Sequence, residues 1–376
     1  MTPRRVLFIA EGQLGDLILL TPAVRAVRTS FPGVRISVLL IERRGATAPV
    51  FAGPMAPDPE SPLAAGSSVD AVYVLRRHLL RSLHGVRRLK AETTVVQELR
   101  RPRFDTVICT FPEDRFAVYA FASGAAVRVG QRDQALSWLL TVTPDTRKDR
   151  SGVREYYCDL VRAIGAEVRS VDTRYEIPAA ARRWADSMLK KGKIRRRDRL
   201  VLIHPGATGD YKIWPPDRFA VLADRLSRLR NVRPVLVHGP PDLPVAEMVR
   251  HAVRRPLPVL DTGGSLSRLA ALMERSRLCI TNDSGPRHLA VAVGVPSLAI
   301  VRQHHEREWK IYDDTPWCVT LVGTEVCRVC PDGTCHDRIP EGERFGSVCL
   351  RHIGVETAFS RAAAMLRRPM HSSPSV

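Results

Sequence analysis

With 376 residues, 44% of them apolar and 26% charged, the chain has the composition of a soluble globular protein and the length of two domains. That excludes a wholly disordered chain, a collagen-like chain and a small disulfide scaffold. Lys and Arg number 58 against 39 Asp and Glu, a net charge of +19, which favours anionic partners: nucleic acid, anionic lipid or a phosphorylated substrate.

Taken in chain order, Val6–Ala10 reads as a buried strand and Leu17–Ser30 as a helix with Thr21 and Pro22 in or near its first turn. Arg35–Ile41, Asp70–Leu75 and Thr106–Thr110 read as further strands. Ala48–Ser68, rich in Pro, Gly, Ala and Ser, reads as loop. Leu75–Arg103 is helical in pattern and carries nine basic residues against Glu92 and Glu98. Such alternation predicts a parallel sheet with helices on both faces.

The pattern restarts near residue 200. Strands are expected over Leu200–His204, Val235–His238, Val259–Leu260, Leu278–Thr281 and Ser297–Val301. Helices are expected over Asp217–Leu229, Leu266–Arg275 and Pro286–Val293. The stretch between the halves ends in the basic run Lys190–Arg199 and reads as a hinge or a solvated helix face. The fold class is α/β, with an N-terminal domain over 1–176, a linker over 177–199, a C-terminal domain over 200–352 and a C-terminal helix and tail over 353–376.

Three segments carry chemistry. In Val6–Asp16 a buried strand runs through Gly12 and Gly15 into a helix. Glycines at such a turn let a ligand or another backbone approach, although the three-glycine dinucleotide spacing is absent. Asp16 falls at the strand's C-terminal end, where open α/β sheets place ligands; a helix cap is the plainer role for it. In Leu200–Trp214 a strand leads into a small-residue loop with Thr208 and Lys212. Backbone N–H groups, a hydroxyl and an ammonium together suit a phosphate, and an ordinary surface loop is the alternative. In Cys279–Val293 a strand leads to Asp283, Ser284 and Gly285, then to Pro286 at a helix start, with His288 one turn in. That is a positive helix end suited to an anion. A capped helix packing on the sheet would explain the turn but does not need His288.

Together, GQLGDLILLTPAVRAV, HPGATGDYKIWPPDRFAVLADRL and NDSGPRHLAVAVGVPSLAIV resemble glycosyltransferase family 9, the lipopolysaccharide heptosyltransferases. The likeness extends over nearly the whole chain, with least of it in residues 45–105 and 305–326. The resemblance implies a GT-B architecture, two Rossmann-like doubly wound domains facing a central cleft. It implies transfer of a heptose or related sugar from an ADP-sugar, with inversion, to a hydroxyl of a lipopolysaccharide core or other glycan. Asp16 matches the family's general base, Thr208 and Lys212 its donor-phosphate contacts, and Asp283, Ser284, Gly285 and His288 its donor-binding loop. A base that takes the acceptor proton contributes about 10²–10⁴-fold in rate. Charge developing on the leaving diphosphate can be held by Lys212, His288 and the helix end, so no metal cofactor is expected. Many members carry a ribose-contacting carboxylate soon after the strand ending at His238-Gly239; here the stretch reads Pro240-Pro241-Asp242, with Glu247 later, and leaves that residue open.

The basic segment around Arg81, Arg87 and Arg88 lies in the domain that faces the acceptor in this family. It is expected to serve an anionic glycolipid acceptor or the membrane surface, and an Arg-rich solvated helix face is the plainer reading. Only 6% of residues are aromatic and no nucleic-acid motif occurs, so nucleic acid is not supported as a partner. No run approaches the roughly 18–20 apolar residues of a membrane span, and the first apolar run stops at Glu11 without a signal peptide. The expected location is cytoplasmic, at most peripheral on the inner face of the membrane. Of eight cysteines, Cys327, Cys330, Cys335 and Cys349 cluster, but not as a double CxxC; a structural metal there is the minority reading, and Cys109, Cys158, Cys279 and Cys318 read as core. Two other readings stand: the same fold glycosylating a small natural product or another surface glycan, and a non-catalytic sugar-nucleotide or nucleic-acid binder, which would not need Asp16.

Overall fold

The computed structural model describes residues 2–42, 50–64, 69–146, 152–302, 312, 315–323 and 339–368. The chain divides into two compact units, Met1–Arg174 and Tyr175–Val376.

The first unit holds strands β1 (Arg5–Glu11), β2 (Arg35–Glu42), β3 (Phe51–Met55), β4 (Ala71–Arg76), β5 (Thr106–Cys109) and β6 (Val127–Val129), in the order β3-β4-β2-β1-β5-β6. All pairs are parallel except β3 with β4. The central strands are continuous apolar runs because both faces of a parallel sheet are covered. Leu7, Ile9, Leu39 and Val107 pack with Val95, Leu99 and Phe116 from the helices Gly85–Arg100 and Asp114–Ala122. Strand β3 lies inside the stretch expected as loop. Its Pro54 cannot donate to a ladder, and β3 takes the sheet edge, where that loss is tolerated.

The first helix, Leu14–Ser30, begins three residues earlier than expected and takes Pro22 into its interior. Proline removes the N–H that the Ile18 carbonyl would accept. Thr21 Oγ1 donates to that carbonyl instead, at 2.7 Å. The basic stretch forms two helices, Arg77–Ser82 and Gly85–Arg100, broken at Leu83-His84.

The second unit holds β7 (Arg199–His204), β8 (Val232–His238), β9 (Val259–Asp261), β10 (Leu278–Asn282), β11 (Ser297–Val301) and β12 (Cys318–Val322), all parallel, in the order β12-β11-β10-β7-β8-β9. Val201, Ile203, Trp214, Phe219 and Ile280 form its core with Leu350, Ile353 and Leu366. The stretch 177–199, expected as a linker, belongs to this unit. Its helix Ala179–Lys191 packs on the helix Leu266–Glu274, with Arg182 Nε 2.8 Å from Glu274 Oε2.

Strand order reverses at β1/β5 in one sheet and at β7/β10 in the other. In open α/β sheets the crevice at the carboxyl ends of such strands is where ligands bind.

Candidate active site

In the first unit β1 ends at Glu11, only 1% exposed, and Gly12 makes the turn with its N–H donating to the Ile41 carbonyl at 3.1 Å. Gln13 is the N-cap and makes no side-chain cap bond. Asp16 therefore sits in the first helical turn, half-buried, rather than at the strand end where the sequence placed it. A carboxylate there is favoured by the helix dipole. The fully buried Tyr157 hydroxyl is held well above its ordinary pKa, first by burial, then by the charges of Asp16, Tyr156 and Glu11. It stays protonated, and two carboxylates share its surroundings. Glu11 was missed by sequence reasoning, although its signal is plain: a carboxylate closing a strand that is otherwise wholly apolar.

Arg81 and Arg87 are exposed, whereas Arg88 Nε lies 3.2 Å from Glu92 Oε1. Arg76 and Arg77 pair with Glu42 and Glu113. The segment is thus less charged in effect than its composition implies. Beside Arg87, Val86 is 81% and Leu89 65% exposed.

In the second unit the loop after β7 carries Thr208, exposed, and Lys212, half-buried in the short helical turn Asp210–Lys212. The wholly buried Asn282 at the end of β10 holds this loop at both ends. Its Oδ1 accepts from the Trp214 N–H at 3.0 Å and its Nδ2 donates to the Pro205 carbonyl at 2.6 Å. The structure therefore brings the second and third motifs together, through a residue not singled out from sequence. Arg302, at the end of β11, sets its guanidinium 4.9 Å from the centre of the Tyr211 ring, and Lys212 Nζ lies 5.9 Å from the same ring.

After β10, Asp283 and Ser284 precede the helix Gly285–Ala292. Ser284 is the N-cap without a side-chain cap bond, and its buried Oγ has no hydrogen-bond partner among the described residues. Arg287 is 0% exposed; its Nη1 lies 3.3 Å from Asp283 Oδ1, its Nη2 donates to Thr320 Oγ1 at 2.8 Å, and its guanidinium lies 5.2 Å from the Tyr312 ring centre. His288, also buried, has Nδ1 2.8 Å from the Tyr312 hydroxyl. Asp283 is thus an internal ion-pair partner as well as a loop residue. Lys212, Arg287 and Arg302 make this end of the sheet cationic.

Asp242 settles beside the same loop. Its Oδ2 is 3.4 Å from His204 Nε2, and a Cβ on Gly206 would lie 1.9 Å from its Oδ1, so a side chain at 206 would displace the Asp242 carboxylate. Burial pushes the Asp242 carboxyl up, but the hydrogen bond and charge of His204, with Gly239 and His238, outweigh it and hold the carboxyl below its usual range. Glu247 is half-buried and pairs with Arg250.

Cys327, Cys330 and Cys335 lie outside the described residues; Cys349 is buried, its Sγ 3.4 Å from Ser347 Oγ. Cys109, Cys158 and Cys279 are buried thiols pushed up to about 12, chiefly by that burial. Among the described residues no helix is long and apolar enough to cross a membrane.

The two doubly wound units define the class: an α/β protein of the GT-B fold. A family 9 glycosyltransferase from Veillonella parvula is similar at a TM-score of 0.71 and 22% identity, over 97% of this chain and 98% of its own. An Escherichia coli ADP-heptose lps heptosyltransferase II is similar at 0.66 and 16%, over 96% and 98%. The chain belongs to glycosyltransferase family 9 (heptosyltransferase), whose model matches residues 93–336, and it is a glycosyltransferase. Lipopolysaccharide heptosyltransferase 3 of Escherichia coli is 22% identical over 323 residues, covering 82% of this chain and 85% of the relative. The Escherichia coli heptosyltransferase WaaC with ADP-2-deoxy-2-fluoro heptose is similar at a TM-score of 0.65 and 15% identity, over 96% of this chain and 99% of its own.

Proposed function

We propose that the chain transfers a heptose from ADP-heptose, with inversion, to a hydroxyl of a lipopolysaccharide core or related glycan. The observation that carries this is the joining of the Thr208–Lys212 loop to the Asp283–His288 turn by Asn282, which gathers cations, a hydroxyl and a helix N-terminus at one switch point. That set suits a diphosphate. The kinship with lipopolysaccharide heptosyltransferase 3, and the ADP-heptose analogue in the WaaC structure, support the choice of donor and acceptor.

In this reading the acceptor oxygen forms a bond to the anomeric carbon as the bond from that carbon to the diphosphate oxygen breaks. Asp16 takes the acceptor proton. Thr208, Lys212, Ser284, Gly285 and His288 hold the diphosphate, and the charge that it gains on leaving is met by Lys212, His288 and the helix end. The residues assigned supply this without a metal. Asp242, beside the donor loop, is the carboxylate assigned to the ribose in this reading. Arg81 and Arg87, with exposed Val86 and Leu89, serve the acceptor's anionic lipid surface; Arg88 contributes less, because Glu92 already pairs it. The protein then works on the cytoplasmic face of the membrane as a peripheral enzyme.

Incubation with ADP-heptose and a panel of truncated core acceptors tests the reading. A heptosylated product of inverted anomeric configuration is expected. No ADP release with any acceptor, or transfer only from a different nucleotide sugar, overturns it.

A further inference from the structure

At the opposite end of the second sheet from these loops, before β7, lies a cavity of about 780 Å³. Its floor is apolar: Leu189, Ile194 and Leu200. Its rim is basic: Lys190, Lys193, Arg195, Arg196 and Arg275, against Asp186 and Asp198. Both carboxylates are spoken for. Asp186 Oδ1 lies 3.1 Å from Arg275 Nη2, and Asp198 takes Arg195 Nε at 3.4 Å and the Arg195 backbone N–H at 2.9 Å. Lys190, Lys193 and Arg196 have no ion-pair or hydrogen-bond partner for their side chains among the described residues, so the cavity carries three uncompensated cations. Arg277, whose backbone N–H donates to the Leu200 carbonyl at 2.7 Å, has its pKa lowered by burial and by the charge of Arg199.

The helix end that forms the rim carries the negative end of the helix dipole, about half a charge, which the three cations outnumber. Helix Ala179–Lys191 closes with the Ile194 N–H donating to the Leu189 carbonyl at 2.9 Å and the Lys193 N–H to the Lys190 carbonyl at 3.0 Å. Those bonds occupy two of its last carbonyls. Lys193 holds the left-handed conformation, φ 53°, at the position where helices prefer glycine. A long cationic side chain is thus carried where the backbone disfavours it, at the mouth of a cationic cavity.

We propose that this cavity is a second anion site, which takes a phosphorylated sugar. Its volume is that of a small-molecule site rather than of one inorganic phosphate. The lining has no aromatic ring on which a nucleobase would stack, which separates it from a nucleotide site. The phosphate ester would come from a free sugar phosphate or from a phosphorylated glycan.

Calorimetry on the intact protein tests the site, with saturating ADP present so that the loops after β7 and β10 are filled. Glucose 6-phosphate is expected to bind one-to-one, and glucose not at all. Lys190→Gln/Lys193→Gln/Arg196→Gln should weaken glucose 6-phosphate at least tenfold and leave ADP affinity unchanged. Lys193→Gly should weaken it severalfold while keeping or raising the Tm, because glycine relieves the backbone; that arm stands even where the triple variant folds poorly. A phosphorylated core oligosaccharide binding more tightly than glucose 6-phosphate would identify a glycan as the source, and equal or weaker binding a free sugar phosphate. Absence of saturable binding, or parent affinity in both variants, overturns the site.

Discussion

Nδ1 of His288 lies 2.8 Å from the hydroxyl of Tyr312, whose ring centre is 5.2 Å from the guanidinium of the buried Arg287. A neutral imidazole has one donor and one acceptor nitrogen. A phenol donating to Nδ1 leaves the ring proton on Nε2, the form that can donate to a phosphate oxygen. The guanidinium beside the ring holds the phenol in place and favours donation from it.

Tyr312→Phe should therefore release the tautomer. ADP binding is expected to weaken about fivefold, the equivalent of about 1 kcal/mol for one hydrogen bond. Nitrogen-15 spectra of the imidazole should show a defined Nε2–H form in the parent and a mixture in the variant. Identical spectra would take tautomer control away from Tyr312.

Asp16→Asn should lower transfer by about 10²–10⁴-fold, the range of a lost general base, with ADP affinity kept. Single-turnover transfer and calorimetry measure the two. Transfer near the parent rate would remove Asp16 from the base role and turn attention to Glu11.

Lys212→Ala and His288→Ala should each weaken ADP about tenfold or more, since hydrogen bonds to charged groups are worth about 1.5–3 kcal/mol. Adenosine should bind each variant as it binds the parent. An equal loss for both ligands would mean that the two side chains do not hold the diphosphate.

Arg81→Gln/Arg87→Gln combined with Val86→Ser/Leu89→Ser should reduce binding to vesicles containing anionic phospholipid, at about 1 kcal/mol per basic residue near the surface, with an effect that shrinks as salt rises. Donor KM should not change. Co-sedimentation equal to that of the parent at low salt would make these two helices a solvated surface.

Asp242 has a folded pKa below its unfolded one, set by His204 against the opposing effect of burial. Its contribution to stability is therefore full above the ordinary carboxylate range and is lost as pH falls through the lowered folded value. Asp242→Asn should lower the Tm at pH 7, and the gap to the parent should close in acid. A gap that does not change with pH would mean that the carboxylate charge is not what stabilises the loop.

The sequence by itself determined the two α/β halves, because buried parallel strands are continuous apolar runs that stand out against amphipathic helices. It also marked the loops after β1, β7 and β10, three of the four at the two switch points, through glycine, proline and polar residues following a strand, but not the loop after β5. It did not show β3, whose Gly53-Pro54 reads as loop and becomes a strand only by pairing with β4 at an edge. It did not show Asn282 as the tie between Pro205 and Trp214, because those residues are brought together by the pairing of β7 with β10. Nor did it show that Glu92 neutralises Arg88, or that Tyr312 faces His288 across 24 positions of chain. Composition and periodicity are local and survive in one dimension. Which buried polar group meets which depends on strand order and packing, and only the tertiary structure decides that.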